Sequence, residues 1–178
     1  MSITRAHAES LIVEIEDYPT PGVTFKDLTP VFADHDALTY ILHECQHHFA
    51  NSRLTKIAGI EARGFIFGGA LAAHMNLGFV PIRKAGKLPR QTYRVDYSLE
   101  YGKDSVEIHK DALTKDDNVL LVDDVLATGG TATAAAQLIS HCGATISGLS
   151  VLLTLDFLGG ATRFDEKFPE TEIFTVFS

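Results

Sequence analysis

Val119-Leu120-Leu121-Val122-Asp123-Asp124-Val125-Leu126-Ala127-Thr128-Gly129-Gly130-Thr131 sets apolar, acidic and small residues in one unbroken order. The four apolar residues predict a buried strand, and two adjacent carboxylates follow where that strand emerges. A short loop of small residues then opens into 132–141, an alanine-rich stretch that predicts a helix closed at Gly143. In open α/β sheets, ligands bind where strands end and helices begin. This junction offers free backbone N–H groups, the hydroxyls of Thr128 and Thr131 and the positive end of a helix, which suits a phosphate dianion. Asp123 and Asp124 would repel such an anion unless they hold something else. Ionised carboxylates only accept hydrogen bonds, so the vicinal hydroxyls of a sugar are the economical partner. A phosphate and a diol at adjacent points describe a ribose 5-phosphate.

Two commoner phosphate motifs are excluded. A P-loop needs Gly-Lys-Ser/Thr, but Gly86-Lys87 is followed by Leu88 and Gly102-Lys103 by Asp104. The dinucleotide fingerprint G-x-G-x-x-G does not occur.

Outward from the run, strands and helices alternate. A helix carrying Leu11, Ile12 and Ile15 comes first, then a Pro/Gly-rich loop. Periodicity predicts helices over 36–50 and 65–75, and strands over 56–60, 79–82, 105–109, 146–153 and 173–177. Residues 83–96 form a polar stretch without clear period. The fold class is therefore α/β, with a mostly parallel central sheet flanked by helices. A chain of 178 residues with 46% hydrophobic content fits one domain, 1–178, with a substantial core. Cys45 and Cys142 are the only cysteines, which argues against a disulfide framework and for a cytoplasmic protein. No apolar run approaches membrane-spanning length, so no membrane partner is expected. The net charge of −8 argues against nucleic acid as a partner. Against it, 83–94 carries Arg83, Lys84, Lys87, Arg90 and Arg94 without an acid, which suits a small polyanion.

The run 119–131 resembles the 5-phosphoribosyl-1-pyrophosphate (PRPP) motif of the type I phosphoribosyltransferase family, and Leu126 to Thr131 resembles its adenine-using branch. Three further stretches share the resemblance: Pro19-Thr20-Pro21-Gly22-Val23-Thr24-Phe25-Lys26-Asp27, Gly59-Ile60-Glu61-Ala62-Arg63-Gly64-Phe65, and 83–102. It implies the type I fold with a small hood over about 1–35 and a flexible lid loop over about 84–98. It also implies a homodimer and a magnesium ion carried by PRPP rather than by direct protein ligands. The implied reaction converts adenine and PRPP to AMP and pyrophosphate, in purine salvage. Transfer to another base (xanthine, hypoxanthine or orotate) and a non-catalytic PRPP-sensing regulator remain open.

Residue by residue, the resemblance places Asp123, Asp124, Ala127, Thr128, Gly129, Gly130 and Thr131 on the ribose and 5-phosphate. Glu61, Ala62 and Arg63 shape the pyrophosphate loop, with a cis peptide expected between Glu61 and Ala62, and Arg83, Lys84 and Lys87 complete the clamp. Thr24, Phe25 and Lys26 face the base, Lys26 standing where many relatives carry Arg. Glu100 resembles the acid–base carboxylate and is catalytic with Arg63; Tyr101 and Arg90 belong to the lid. In the hypoxanthine-guanine branch an Asp stands where this chain has Ala127.

One motif points elsewhere. His43-Glu44-Cys45-Gln46-His47 fits the H-E-x-x-H pattern of zinc proteases. Leu38, Ile41, Leu42, Cys45 and Phe49 form the apolar face of that helix, so at about 3.6 residues per turn both histidines point to solvent.

Overall fold

The computed structural model describes residues 4–18, 21–99 and 102–177. The apolar run becomes β7 (Asn118–Val122), flanked in a seven-stranded sheet by β3 (Lys56–Ile60) and β9 (Thr145–Val151). β11 (Glu172–Thr175) lies beyond β9, and β4 (Gly78–Lys84) beyond β3; these five strands pair in parallel. Along β7, Val119 and Leu121 enter one core while Leu120 and Val122 enter the other. Burial on both faces is why the strand reads as continuously apolar.

Helix α5 (Gly130–His141) covers the first face with Leu138 and Ile139, joined by Phe164 of α6 (Gly160–Asp165). On the second face lie α1 (Arg5–Ser10), α2 (Thr29–Ala33), α3 (His35–His48) and α4 (Arg63–His74). α3 begins at Asp34, whose carboxylate accepts the Ala37 N–H at 2.8 Å, the usual N-cap contact. His43 and His47 are exposed on α3 opposite buried Ile41, Leu42 and Cys45, as its amphipathic pattern requires. None of the helices among the described residues is long and apolar enough to cross a membrane.

Three local readings change. The first helix stops at Ser10, and Val13–Ile15 forms β1, antiparallel to β2 (Phe25–Asp27), with Ile15 opposite Phe25. Ile15 is therefore a strand residue: β-branched Val13 and Ile15 flanking Glu14 suit a pleated edge better than a helix. The polar stretch 83–96 begins and ends in strand, with irregular backbone only over 85–91. β5 (Thr92–Leu99) pairs antiparallel with β6 (Gly102–His109), and β6 extends the β4 edge through Arg83 opposite Glu107. Tyr93, Val95 and Tyr97 pack on the core while Arg94 and Asp96 are exposed, a period of two that packing against α5 enforces. Finally, β8 (Val125–Leu126) and β10 (Leu153–Thr154) form a short parallel pair beside the small-residue loop.

Candidate active site

The carboxyl ends of β3 and β7 open into a cleft of about 580 Å³, roofed by β2 and walled by the β5–β6 hairpin. β7 delivers its two acids under tight backbone control. The Asp123 N–H donates to Ser150 O at 3.1 Å, and Asp124 O accepts from Leu152 and Leu153 at 3.0 and 3.1 Å. The chain then passes through β8 to Gly129, whose φ of +76° is one that glycine adopts without strain. Gly129 caps α5 with no side-chain hydrogen bond, leaving first-turn N–H groups for an anion.

The acids differ in their surroundings. The Asp124 side chain is 7% exposed and accepts a hydrogen bond from Arg63 Nε. Asp123 accepts the Asp124 N–H at 2.9 Å. Enclosure, and then the neighbouring Asp124 charge, push the Asp123 carboxyl well above the usual carboxylate range.

The peptide between Glu61 and Ala62 is cis, and both residues line the cleft with Arg63. Arg83 Nε donates to Glu61 at 2.9 Å, and Arg83 Nη1 to Lys87 O at 3.2 Å. Lys84 Nζ lies 3.1 Å from Asp104, and that contact raises the ammonium pKa. The Asp104 carboxyl is held low, first by the Ser105 N–H and then by Lys84. Arg63, Arg83 and Lys84 each hold a carboxylate, so a bound polyanion would exchange with acids already in place.

Thr24, Phe25 and Lys26 form the roof. Phe25 meets Tyr18 edge-on at 5.4 Å, and the Arg63 guanidinium carbon lies 5.3 Å from its ring centroid. Lys26 is paired with Glu14. Ala127 and Thr131 line this cleft, whereas Thr128 and Gly130 line an adjoining one of about 590 Å³.

Not every expected residue gathers here. Arg83 approaches the cleft through Glu61, while Lys87 and Gly129 do not line it. Arg90 pairs with Asp111 and lies 3.2 Å from His109 Nδ1, outside both clefts. Its charge is thereby committed to the base of the hairpin. Glu100 and Tyr101 lie outside the described residues. Two polar residues that sequence reading missed do line the cleft: Tyr97, shared with the adjoining cleft, and Asp104, which accepts the Tyr97 hydroxyl at 3.3 Å. The alternation of Tyr93, Val95 and Tyr97 was the available signal for the first; nothing local distinguishes Asp104.

Residues 25–177 match the family model of the phosphoribosyl transferase domain. An adenine phosphoribosyltransferase of Streptomyces clavuligerus is 50% identical over 156 residues, covering 88% of each chain. The crystal structure of adenine phosphoribosyltransferase from Thermoanaerobacter pseudethanolicus superposes with a TM-score of 0.90 at 42% identity, covering 97% of this chain and 98% of that one. The enzyme from Saccharomyces cerevisiae, in complex with an imino-altritol bisphosphate and adenine, gives 0.87 at 33% identity, covering 97% and 99%. The chain belongs to the phosphoribosyltransferase family, among the adenine phosphoribosyltransferases.

Proposed function

We propose that this chain transfers the 5-phosphoribosyl group of PRPP to N9 of adenine, releasing AMP and pyrophosphate. The observation that carries the proposal is one cleft in which Phe25 faces Arg63, and Arg63 in turn holds Asp124 at the mouth of the loop 127–131. Base, pyrophosphate and ribose phosphate thereby have neighbouring sites of matching chemistry. The adenine bound to the Saccharomyces cerevisiae relative supports the choice of base.

The 5-phosphate lies on the N–H groups of Gly129, Gly130 and Thr131, with the hydroxyls of Thr128 and Thr131. Asp123 and Asp124 accept hydrogen bonds from the ribose hydroxyls. Arg63 exchanges Asp124 for the pyrophosphate, joined by Arg83 and Lys84 and by the backbone around Glu61 and Ala62; Lys87 adds charge. The bond from C1 to the pyrophosphate oxygen breaks with its electron pair leaving on pyrophosphate. N9 attacks C1, and Glu100 takes the purine proton from N7. Between these events the ribose carries positive charge, which the Asp124 carboxylate stabilises, joined by Asp123 once that group is ionised.

Magnesium enters on PRPP in this proposal. Among the described residues no group of three or more side chains is arranged to hold a metal, and Glu61, Asp104 and Asp124 already hold cations. An ion brought in on PRPP would neutralise charge on the leaving pyrophosphate. A homodimer, implied by the family resemblance, and a cytoplasmic location, argued from the two cysteines, complete the proposal. The direct test mixes the protein with magnesium, PRPP and adenine and follows products by chromatography. AMP and pyrophosphate should appear in equal amounts; no AMP would contradict the proposal.

A further inference from the structure

The loop 127–131 does not hold its shape alone. The chain leaving β9 runs alongside residues 124–126, which lead into it. Asp124 O is bridged by Leu152 and Leu153, β10 pairs with β8, and the Leu155 N–H donates to Leu126 O at 2.9 Å. After a turn at 156–158, the same strand of chain returns at the first residue of α6 and meets the loop again, now backbone against backbone. A Cβ on Gly160 would stand 2.1 Å from Ala127 O and 2.8 Å from Gly129 N, and one on Gly129 would stand 2.4 Å from Gly160 O. Either loop or helix would have to yield by about 0.9 Å to reach even 3.0 Å, below which such contacts are essentially not seen. α6 is not free to yield, because Phe164 is fully buried in the core and its ring packs 5.3 Å from that of Phe168.

We infer that Gly160 is a positioning residue for the reaction: its bare backbone sets the height of residues 127–129 and so aims the amides that hold the 5-phosphate. The inference rests on the reading of 127–131 as the 5-phosphate cradle. Charge-assisted hydrogen bonds lose strength steeply with misplacement, and a shift of about 1 Å can cost roughly a hundredfold. The neighbouring Gly159 separates this role from general stability. It has φ +67° but nothing within 4 Å of its missing Cβ, so alanine there strains the backbone without touching the loop.

The test measures AMP and adenosine affinities, which differ by the phosphate alone, with melting temperature as the control. Gly160→Ala should bind AMP at least about tenfold more weakly, the loss of one to two charged hydrogen bonds, and adenosine as the wild type does. Gly159→Ala should lower the melting temperature and leave both affinities unchanged. Phe164→Leu, which loosens α6 without adding a Cβ at the loop, should weaken AMP several-fold and spare adenosine; this arm carries the test if Gly160→Ala does not fold. Unchanged AMP binding in Gly160→Ala, unchanged AMP binding in Phe164→Leu, or equal losses in the two glycine variants would each overturn the inference. Gly130→Asp places a carboxylate in the cradle itself and should abolish the preference for AMP. If Gly130→Asp keeps AMP affinity, the cradle is misassigned. If Gly130→Asp loses it while Gly160→Ala keeps it, only the role of Gly160 falls.

Discussion

Asp124→Asn separates two roles of one carboxylate, pairing with Arg63 and stabilising positive charge on the ribose. The carboxylate is 7% exposed and paired with Arg63, itself 35% exposed. Removing the charge costs the ion pair, about 1 kcal/mol once the guanidinium's access to water is allowed for. It also removes the like charge beside Asp123, a gain of similar size. The two offset to within about 1 kcal/mol, so the melting temperature should move by no more than about 4 °C. Turnover should respond differently. A carboxylate about 5 Å from a ribosyl cation, at an effective dielectric near 20, is worth roughly 3 kcal/mol. That is about two orders of magnitude in rate. Steady-state kinetics with varied PRPP should show the loss in kcat and in kcat/KM alike, because the interaction strengthens only as charge develops. The acid limb of the pH–rate profile should also move to lower pH, since Asp123 then ionises without a charged neighbour. A rise confined to KM, or full activity, would refute stabilisation of the transition state by this acid.

The raised Asp123 carboxyl makes a stability prediction of definite sign. Above the ordinary aspartate pKa of 3.8 the unfolded chain releases this proton while the native state keeps it, so wild-type stability falls as pH rises through the window up to the native pKa. Asp123→Asn escapes that loss: in denaturant titrations its advantage over wild type should be absent in acid and grow towards neutral pH, and an advantage largest in acid would contradict the enclosure described here. Glu100→Gln keeps size and polarity but cannot take the purine proton, so activity should fall by roughly a hundred- to ten-thousandfold with PRPP binding little changed. Adenine carrying carbon at N7 should lose less from that substitution than adenine does; simply additive losses would assign the proton to another group.

The site was legible where chemistry is packed into consecutive residues. Val119 to Thr131 announces strand, acids, loop and helix in order, and the structure places these along β7, β8 and the start of α5. The hairpin was missed for a different reason. Tyr93, Val95 and Tyr97 do alternate with Arg94 and Asp96, but the basic residues before them drew the reading towards a loop. Their apolar side becomes meaningful only once α5 lies against it. α2 and α6 span five and six residues, too short for a helical period to register. The partners of the site cations were beyond reach altogether. Arg63 and Asp124 stand 61 positions apart, Arg83 and Glu61 22, and only the return of the chain to the same sheet edge joins them. Gly160 was silent in the same way, since its meaning lies in the backbone it touches.

Competition between bases separates adenine transfer from transfer to any other base. Adenine, hypoxanthine, guanine, xanthine and orotate would be offered together to the protein with limiting PRPP and magnesium, and the nucleotides formed would be counted. By the family resemblance, Ala127 stands where the hypoxanthine-guanine branch carries an acid, and the proposal sets backbone groups around Thr24 and Lys26 against an exocyclic amine. A carbonyl in its place leaves buried polar groups unpaired. AMP should therefore exceed every other product by roughly a thousandfold or more. Hypoxanthine used at a comparable rate would contradict the account.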